Sequence, residues 1–250
     1  MKKLMAANWK MYKTTDQAWT TAQELVQALD ALPGDREVLV FPPFTAISAV
    51  VDTFKGHDGY SVGGQNIYPA EEGAFTGEIA PNMLLNLGCS HVLAGHSERR
   101  HILGETNEFV GQKVTLGLDR GLKVVLCVGE LIEEREAGKV EQVLEEQLKA
   151  GLANVAPDVS PELLAVAYEP VWAIGTGKVA GPPEILEAHA FVRKKLIEIL
   201  PVSGKEIRIL YGGSVKPDNC GTIISLDNVD GVLVGGASLH AESFSRIVLA

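Results

Sequence analysis

Eight short apolar runs recur along the chain, and they form its clearest pattern. Several are continuous rather than alternating with polar residues, as in Leu164, Ala165, Val166 and Ala167. Continuous runs are typical of strands that are buried on both faces. We therefore predict eight strands, at residues 4–9, 38–41, 60–64, 91–94, 124–128, 163–168, 207–211 and 232–234.

Helical patterns lie between the strand runs. In the first of them, Ala18, Ala22, Leu25 and Leu29 repeat at the spacing of one helix face. Similar spacing predicts helices over residues 105–118, 140–148 and 185–199. The helices that follow the third and seventh runs must be short, because little chain separates those runs from the next ones.

Eight alternating units in 250 residues predict a (β/α)8 barrel of parallel strands. The rival is a doubly wound open sheet, which usually carries a glycine-rich turn after its first strand. Here that turn contains no glycine. No linker or low-complexity tract divides the chain, so residues 1–250 are predicted to form one α/β domain.

Composition narrows the class of protein. The apolar fraction of 46% is too high for a disordered chain. The formal net charge is −10 and the isoelectric point about 5.1. An acidic surface argues against nucleic acid or an anionic membrane as the main partner. No apolar run approaches the length of a membrane span.

The number and spacing of the cysteines indicate the cellular compartment of the protein. Cys89, Cys127 and Cys220 are odd in number and widely spaced. This spacing argues against a disulfide framework and against a zinc site. The N-terminal apolar stretch is too short for a signal peptide. We expect a cytoplasmic protein.

Polar residues collect directly after the predicted strands, where barrels carry their active sites. Lys10 follows the first run, and it is either a solvated surface lysine or a cation that neutralises an anionic substrate oxygen. His96 stands at a strand-to-helix turn after the fourth run, with either a structural or a catalytic role. A helix N-terminus disfavours the imidazolium, so a neutral ring is expected there.

Glu169 directly follows the most apolar strand run. It is either the partner of a nearby cation or a general base whose pKa is raised by partial desolvation. The segment after it combines large apolar residues with glycines, which suits a lid over a ligand or a loop packed permanently on a neighbour. The predicted lid comprises Pro170, Val171, Trp172, Ala173, Ile174, Gly175, Thr176, Gly177 and Lys178.

Two glycine-rich turns follow the last two strands. They are Gly212-Gly213-Ser214 and Gly235-Gly236. Glycines let main-chain N–H groups approach a phosphate, and barrels often bind phosphate after strands 7 and 8. The two turns together indicate a phosphate site.

Five segments, in order along the chain, resemble the triosephosphate isomerase family. They are residues 8–10 (Asn-Trp-Lys), 95–100 (Gly-His-Ser-Glu-Arg-Arg), 167–178 with Glu169 at its start, 211–215 (Tyr-Gly-Gly-Ser-Val) and 235–239 (Gly-Gly-Ala-Ser-Leu). The resemblance implies interconversion of dihydroxyacetone phosphate and D-glyceraldehyde 3-phosphate, without a metal or an organic cofactor.

The resemblance also implies roles for single residues. Glu169 is expected to be the base and His96 the electrophile, while Lys10 and Asn8 contact substrate oxygens. Glu98 and Ser97 are expected to support these groups. The phosphate is expected at main-chain amides of Gly175, Ser214, Gly235 and Gly236. The loop that contains Thr76 resembles the family's dimer contact, which implies a homodimer.

Two other functions stay open at this stage. An aldolase that works through a Schiff base needs a buried lysine late in a strand, and the sixth strand instead ends in Glu169. A sugar-phosphate-binding module without activity would not need Glu169 and His96, and both are present.

Overall fold

The structure is a computed structural model that describes residues 1–174 and 179–250. Within these residues, eight parallel strands close into a barrel in which each strand pairs with its sequence neighbours and β1 pairs with β8. The strands are β1 (Lys3–Asn8), β2 (Arg36–Phe41), β3 (Tyr60–Gly64), β4 (His91–Ala94), β5 (Lys123–Val128), β6 (Leu164–Tyr168), β7 (Arg208–Tyr211) and β8 (Gly231–Val234). The prediction of a (β/α)8 barrel is confirmed, and the open sheet is excluded.

Helices connect the strands around the outside of the barrel. In the described residues they are α1 (Thr15–Ala28), α2 (Ile47–Phe54), α3 (Pro81–Asn86), α4 (Ser97–His101), α5 (Asn107–Asp119), α6 (Ile132–Glu136), α7 (Val140–Gly151), α8 (Pro182–Ile199), α9 (Pro217–Ile224) and α10 (Ala241–Val248). The four periodic stretches are helical, and α3 and α9 are short, as predicted. Residues 29–32 lie beyond α1, so the first helix ends earlier than its apolar pattern.

Local signals explain where α1 begins. Thr14 caps the helix by accepting a hydrogen bond from the N–H of Gln17, and the Gln17 side chain accepts one from the N–H of Thr14. This reciprocal pair satisfies donors that the first turn leaves free. The buried face of α1, with Ala18, Ala22 and Leu25, then packs toward the barrel.

The apolar core has two layers, which follow from the alternation of side chains along each strand. One layer lies between the strands and the helices and includes Met5, Val40 and Val166. The other fills the barrel interior. It consists of Leu4, Ala6, Leu39, Phe41, Leu93, Val125, Cys127, Ala165, Ala167, Leu210 and Leu233. The interior is therefore packed, and ligands can enter only at its ends.

The two ends of the barrel differ. At the end where the strands begin, the guanidinium of Arg208 donates to a Glu37 carboxylate oxygen at 2.6 Å. The same end holds the buried His91. At the opposite end, the loops after the strands enclose a cavity, and that end carries the candidate site.

The described residues lack two kinds of feature, a helix that could span a membrane and a cluster of metal ligands. None of their helices combines the length and the apolar character needed to cross a membrane. No group of three or more His, Cys, Asp or Glu side chains among them is arranged to hold a metal ion. All three cysteines are free and buried.

Candidate active site

A cavity of about 330 Å³ opens where the strands reach their carboxyl ends. Most of the catalytic and substrate-binding residues predicted from the sequence meet there. Those that line it are Asn8, Lys10, His96, Glu169, Ile174, Ser214, Gly235 and Gly236. Ser97 and Glu98 contact these side chains, whereas Thr76 lies on the exposed loop after β3 and does not line the cavity. Gly175, Thr176, Gly177 and Lys178 lie outside the described residues.

Lys10 reaches the cavity through an unusual main-chain conformation. Its φ angle is +54°, in the left-handed region that few non-glycine residues adopt. The Lys10 N–H donates to Oδ1 of the buried Asn8 at 3.0 Å, which stabilises the turn. The Lys10 Nζ atom donates to Glu98 Oε1 at 2.7 Å, and its side chain is only 20% exposed. The ammonium is thus held at the cavity rather than free in solvent.

His96 forms the N-cap of α4, so the strand-to-helix turn fixes its ring. Its Nδ1 atom accepts a hydrogen bond from the N–H of Glu98 at 3.3 Å. With Nδ1 as the acceptor, a neutral ring carries its proton on Nε2. That atom faces the cavity and lies 3.1 Å from Oε1 of Glu169. The ring can therefore donate from Nε2 toward a ligand in the cavity.

Glu169 is almost fully buried, at 2% exposure, directly after β6. Its Oε2 atom accepts a hydrogen bond from the N–H of Ser97 at 2.9 Å. Its own N–H donates to the Val128 carbonyl at 2.7 Å. A Cβ atom on Gly129 would lie 1.7 Å from the Glu169 carbonyl oxygen, so only glycine fits beside this residue. The main chain thus fixes the carboxylate between β5 and α4.

The pKa values of Glu169 and His96 move opposite to the sequence-based expectation. Burial raises the pKa of Glu169, but the contact with His96 and the Ser97 N–H outweigh burial, so its pKa lies below the usual range. Burial lowers the pKa of His96, but the Glu169 carboxylate outweighs burial and raises it. The expectation was wrong for this arrangement because it omitted the direct contact between His96 and Glu169, which are distant in sequence.

The two glycine-rich turns flank the cavity on the side of β7 and β8. Gly212, Gly213 and Ser214 line one wall, and Gly235 and Gly236 line the next. A Cβ atom on Gly235 would lie 3.8 Å from the Lys10 Nζ atom. A positive charge therefore sits beside the turn after β8, which favours an anion at this wall.

The described part of the predicted lid begins next to Glu169. Residues Val171–Ala173 form a single 3₁₀ turn, and Ile174 reaches the cavity wall. The Trp172 Nε1–H donates to Glu130 Oε1 at 2.8 Å, and the Val171 N–H donates to the Glu130 carbonyl at 3.1 Å. The start of the segment is therefore anchored to the end of β5.

Sequence reasoning missed Glu130. It is fully buried, and its Oε1 atom also accepts hydrogen bonds from the Tyr168 hydroxyl at 3.1 Å and from Arg135 at 2.9 Å. Tyr168 directly precedes Glu169 and Trp172 follows three residues later, so the Glu130 carboxylate fixes the chain on both sides of the predicted base. The signal in the sequence is an acidic residue two positions after a buried strand, the same signal that identified other site residues.

These groups give the cavity a defined chemical capacity. A buried carboxylate, an imidazole N–H and an ammonium group border one cavity, together with the turns after β7 and β8. A carboxylate and a hydrogen-bond donor that face one substrate can move a proton while the donor stabilises negative charge on oxygen. The ammonium adds to that stabilisation and attracts anionic ligands.

Comparisons with known proteins agree with this geometry. Residues 3–250 match the family model described as triosephosphate isomerase. A triosephosphate isomerase of Nitratidesulfovibrio vulgaris is 64% identical over 251 residues, with full coverage of both chains. One from Oleidesulfovibrio alaskensis is 62% identical over 250 residues, again with full coverage. A crystal structure of triosephosphate isomerase from Bartonella henselae superposes with a TM-score of 0.89 at 36% identity, covering 99% of this chain and 98% of that one.

Proposed function

The chain belongs to the triosephosphate isomerase family and so interconverts dihydroxyacetone phosphate and D-glyceraldehyde 3-phosphate, and we propose that Glu169, His96 and Lys10 carry out the reaction. The single observation that carries the assignment of roles is the convergence of these three side chains on one cavity. Each comes from a different loop, after β6, β4 and β1. Their meeting in space supports a shared task.

Glu169 moves the proton. Its carboxylate removes a proton from the carbon next to the carbonyl, and the electron pair of that C–H bond forms the C=C bond of an enediolate. The carbonyl oxygen takes up the displaced electron pair as an oxyanion, and the proton of the neighbouring hydroxyl passes to that oxyanion. The carboxylic acid then returns its proton to the adjacent carbon, which breaks the C=C bond and forms the new carbonyl on the first carbon. The carboxylate is regenerated, so no outside oxidant or reductant is required.

His96 and Lys10 stabilise the oxygen atoms on which charge develops. The Nε2–H of His96 donates to an enediolate oxygen, and the Lys10 ammonium neutralises part of its charge. Asn8 supports Lys10 through the hydrogen bond to its N–H, and Glu98 holds its Nζ atom. Ser97 holds Glu169 in the unliganded site.

Substrate binding changes the balance of the effects that set the pKa of Glu169. The distance of 3.1 Å between His96 Nε2 and Glu169 Oε1 leaves no space for a substrate between them, so binding must separate the pair. Separation removes the contact that lowers the pKa of Glu169, while burial, which raises it, remains. The carboxylate becomes a stronger base when the substrate is in place.

The phosphate group binds at the turns after β7 and β8. Ser214, Gly235 and Gly236 line this wall, and their main-chain N–H groups are the proposed donors. Gly175 completes the set in this proposal, as part of a lid that runs from Pro170 to Lys178. A closed lid excludes water and protects the enediolate from loss of phosphate. The chain's own residues supply every group that the mechanism uses.

The rival aldolase chemistry is not favoured. It needs a lysine that is buried in the site. Lys10 is paired with Glu98, and the fully buried Lys113 donates to Asn66 and Glu105 and does not line the cavity. A binding module without activity would have no use for a buried carboxylate that touches an imidazole.

The working unit is a homodimer, with a second copy seated on the loops after β1, β3 and β4. Several large apolar side chains are exposed on these loops, including Met11 at 94% and Ile102 at 76%. Phe75 and Met83 add to this surface and line one shallow cleft. Exposed apolar groups on adjacent loops are typical of a surface that another subunit covers. Thr76 lies within it.

The loop after β3 also contacts the site. The Gln65 side chain donates to the carbonyl oxygens of Lys10 at 2.8 Å and Phe41 at 2.9 Å. A partner subunit that orders this loop therefore also supports the strained turn at Lys10.

The cytoplasm is the proposed location, which the three free and buried cysteines support.

The experiment that tests this function follows the proton. The protein is incubated with dihydroxyacetone phosphate in D₂O, and the product is examined by proton NMR. Transfer through Glu169 puts solvent deuterium on the substrate carbon, because the carboxylic acid exchanges with water. Borohydride added to the same mixture traps any Schiff base. A covalent adduct without deuterium incorporation would contradict the isomerase and support the aldolase.

A further inference from the structure

Arg100 lies directly behind the site and is only 9% exposed. Its Nε atom donates to the Gly95 carbonyl at 2.6 Å, and its Nη2 atom donates to the Cys127 carbonyl at 3.1 Å. Its Nη1 atom donates to Asn107 Oδ1 at 2.6 Å. One guanidinium therefore joins the ends of β4 and β5 to the start of α5.

The charge of Arg100 lacks a direct counter-ion. All three of these acceptors are neutral oxygens, and no ion pair of Arg100 is found within residues 1–174 and 179–250. An arginine stays charged even when buried, and buried charges are normally paired. Burial lowers the pKa of Arg100, and the charges of Glu169 and Glu105 oppose that effect. Glu169 is thus among the acidic groups whose field reaches this cation.

The guanidinium also fixes the turn that precedes His96. Gly95 has a φ angle of +72°, which glycine adopts without strain. A Cβ atom at this position would lie 2.7 Å from Arg100 Nη2, so the guanidinium packs against the turn itself. The next two residues are His96 and Ser97, whose ring and N–H both contact Glu169. A displacement of the Gly95 carbonyl would move both contacts.

We infer that Arg100 is a positioning residue of the isomerisation: it fixes the main chain that carries His96 and Ser97, and it places a buried positive charge behind Glu169. The inference rests on the proposed function, because it assigns a task relative to the proposed base. It gives Arg100 no contact with the substrate. Its effect passes through the two residues that the substrate meets.

Several charged and titratable groups face Glu169, and each bears on the test. His96 and Lys10 act from the loops after β4 and β1, and both lower the pKa of Glu169.

From α4, Arg100 and His101 face Glu169, and burial lowers the pKa of His101. From β5, the thiol of Cys127 faces it, and burial raises its pKa well above the usual range. The Glu98 carboxylate acts on the His96 ring, whose pKa it raises. The Cys127 thiol is neutral at the pH of the assay, so it does not contribute to the charge around the base. Among the described residues, Arg100 is one of the few positively charged groups near Glu169.

The test compares three variants with the wild-type protein. Arg100→Gln removes the charge, while Arg100→Lys keeps the charge but cannot hold two carbonyl groups in a planar fork. Arg208→Gln is the matched control, because Arg208 is equally buried but lies at the opposite end of the barrel. The readouts are kcat, KM and the pH profile of kcat/KM, together with circular dichroism to confirm folding. The substrate phosphate also titrates near pH 6, but it contributes equally in every variant.

The expected results separate positioning from stability. In Arg100→Gln, kcat falls about 10- to 100-fold with a smaller change in KM, because the base and the electrophile are misplaced. The acid limb of the kcat/KM profile moves to higher pH, because the loss of a positive charge raises the pKa of Glu169. In Arg100→Lys, kcat falls but the acid limb stays at its wild-type pH. Arg208→Gln shows no shift of that limb.

Each contrary result overturns the inference. A folded Arg100→Gln variant with an unmoved acid limb contradicts the electrostatic role. If that variant does not fold, Arg100→Lys decides: wild-type kcat, or a moved acid limb, contradicts the inference. A shift of the same size in Arg208→Gln would show a general effect of destabilisation. Absence of isomerisation in the wild-type protein, or normal turnover by Glu169→Gln, would instead reject the proposed function itself.

Discussion

The Nε2 atom of His96 lies 3.1 Å from Oε1 of Glu169, so the proposed base and the proposed electrophile touch each other in the unliganded site. Each group sets the pKa of the other against the effect of burial. The pair is therefore a resting arrangement that the substrate has to open.

Replacement of the base is the first prediction. Glu169→Gln keeps the shape and the hydrogen bond from the Ser97 N–H but removes the group that accepts a proton. We expect kcat to fall by about 10²–10⁴-fold, the usual contribution of a general base. The coupled assay with D-glyceraldehyde 3-phosphate measures this loss, and thermal unfolding checks the fold. Turnover near the wild-type rate would remove Glu169 from its proposed role.

His96→Gln is the second prediction. Glutamine cannot place its N–H where the ring places Nε2, so the enediolate oxygen loses a donor. We expect kcat to fall by about 10²–10³-fold. Because the contact with His96 lowers the pKa of Glu169, its loss moves the acid limb of the kcat/KM profile to higher pH. A profile with an unmoved acid limb would mean that the two residues do not interact in solution.

The third prediction concerns the ammonium group. Lys10→Met removes the cation beside the turn after β8 and leaves the Glu98 carboxylate without its partner. We expect kcat/KM to fall by at least about 100-fold, as expected when a stabilising charge is lost from the transition state. Lys216→Met is the matched control, because Lys216 also lines the cavity. Equal losses in the two variants would indicate that net charge, rather than the placement of Lys10, matters.

Assembly supplies the fourth prediction. Thr76→Arg introduces a bulky charge into the proposed dimer surface, and Thr222→Arg makes the same change on the exposed side of α9. Light scattering should give twice 26.8 kDa for the wild-type protein and for Thr222→Arg. Thr76→Arg should shift toward 26.8 kDa and lose activity, because the Gln65 loop supports Lys10. A wild-type protein that scatters as a monomer would contradict the proposed assembly.

Acid stability is the fifth prediction. Burial lowers the pKa of His189 from 6.5 to about 4, so the unfolded chain binds a proton that the folded chain does not. The stability that this group contributes is present above pH 6.5 and is lost as the pH falls toward 4. The loss by pH 4 is about 3 kcal/mol, from 1.4 kcal/mol for each pH unit. Urea unfolding from pH 7 to pH 4 should show a smaller loss for His189→Gln than for His57→Gln, in which the exposed His57 is changed instead. Parallel losses in both variants would exclude His189 as the cause.

Much of the barrel could be predicted because its strands are buried on both faces. Runs such as residues 124–128 and 163–168 are continuous and apolar, and they differ from the observed β5 and β6 by one residue at the start. Helices α4 and α6 were not predicted, since five residues are too few to show helical periodicity. The four longer stretches show the period over several turns, and all four are helices.

The candidate site was only partly accessible to sequence reasoning. Its residues could be found because polar groups after buried strands are unusual, and the cavity contains most of the catalytic and substrate-binding residues that the sequence singled out. The contact between His96 and Glu169 could not be found, because it depends on the approach of two strand ends that are distant in sequence. The direction of both pKa shifts follows from that contact. Arg100 belongs to the motif of residues 95–100, but its burial depends on the packing of β4, β5 and α5, which the sequence does not reveal.

The left-handed conformation of Lys10 restricts how position 10 can evolve. A glycine or an asparagine would relieve the main-chain strain but would remove the ammonium from the cavity. An arginine would keep a charge, but its larger planar head would have to fit between Glu98 and the turn at Gly235. A β-branched residue would increase the strain and also lose the charge. Few single substitutions both tolerate the left-handed conformation and keep a positive charge in the cavity. A protein with a changed residue 10 is therefore expected to be either less stable or less active.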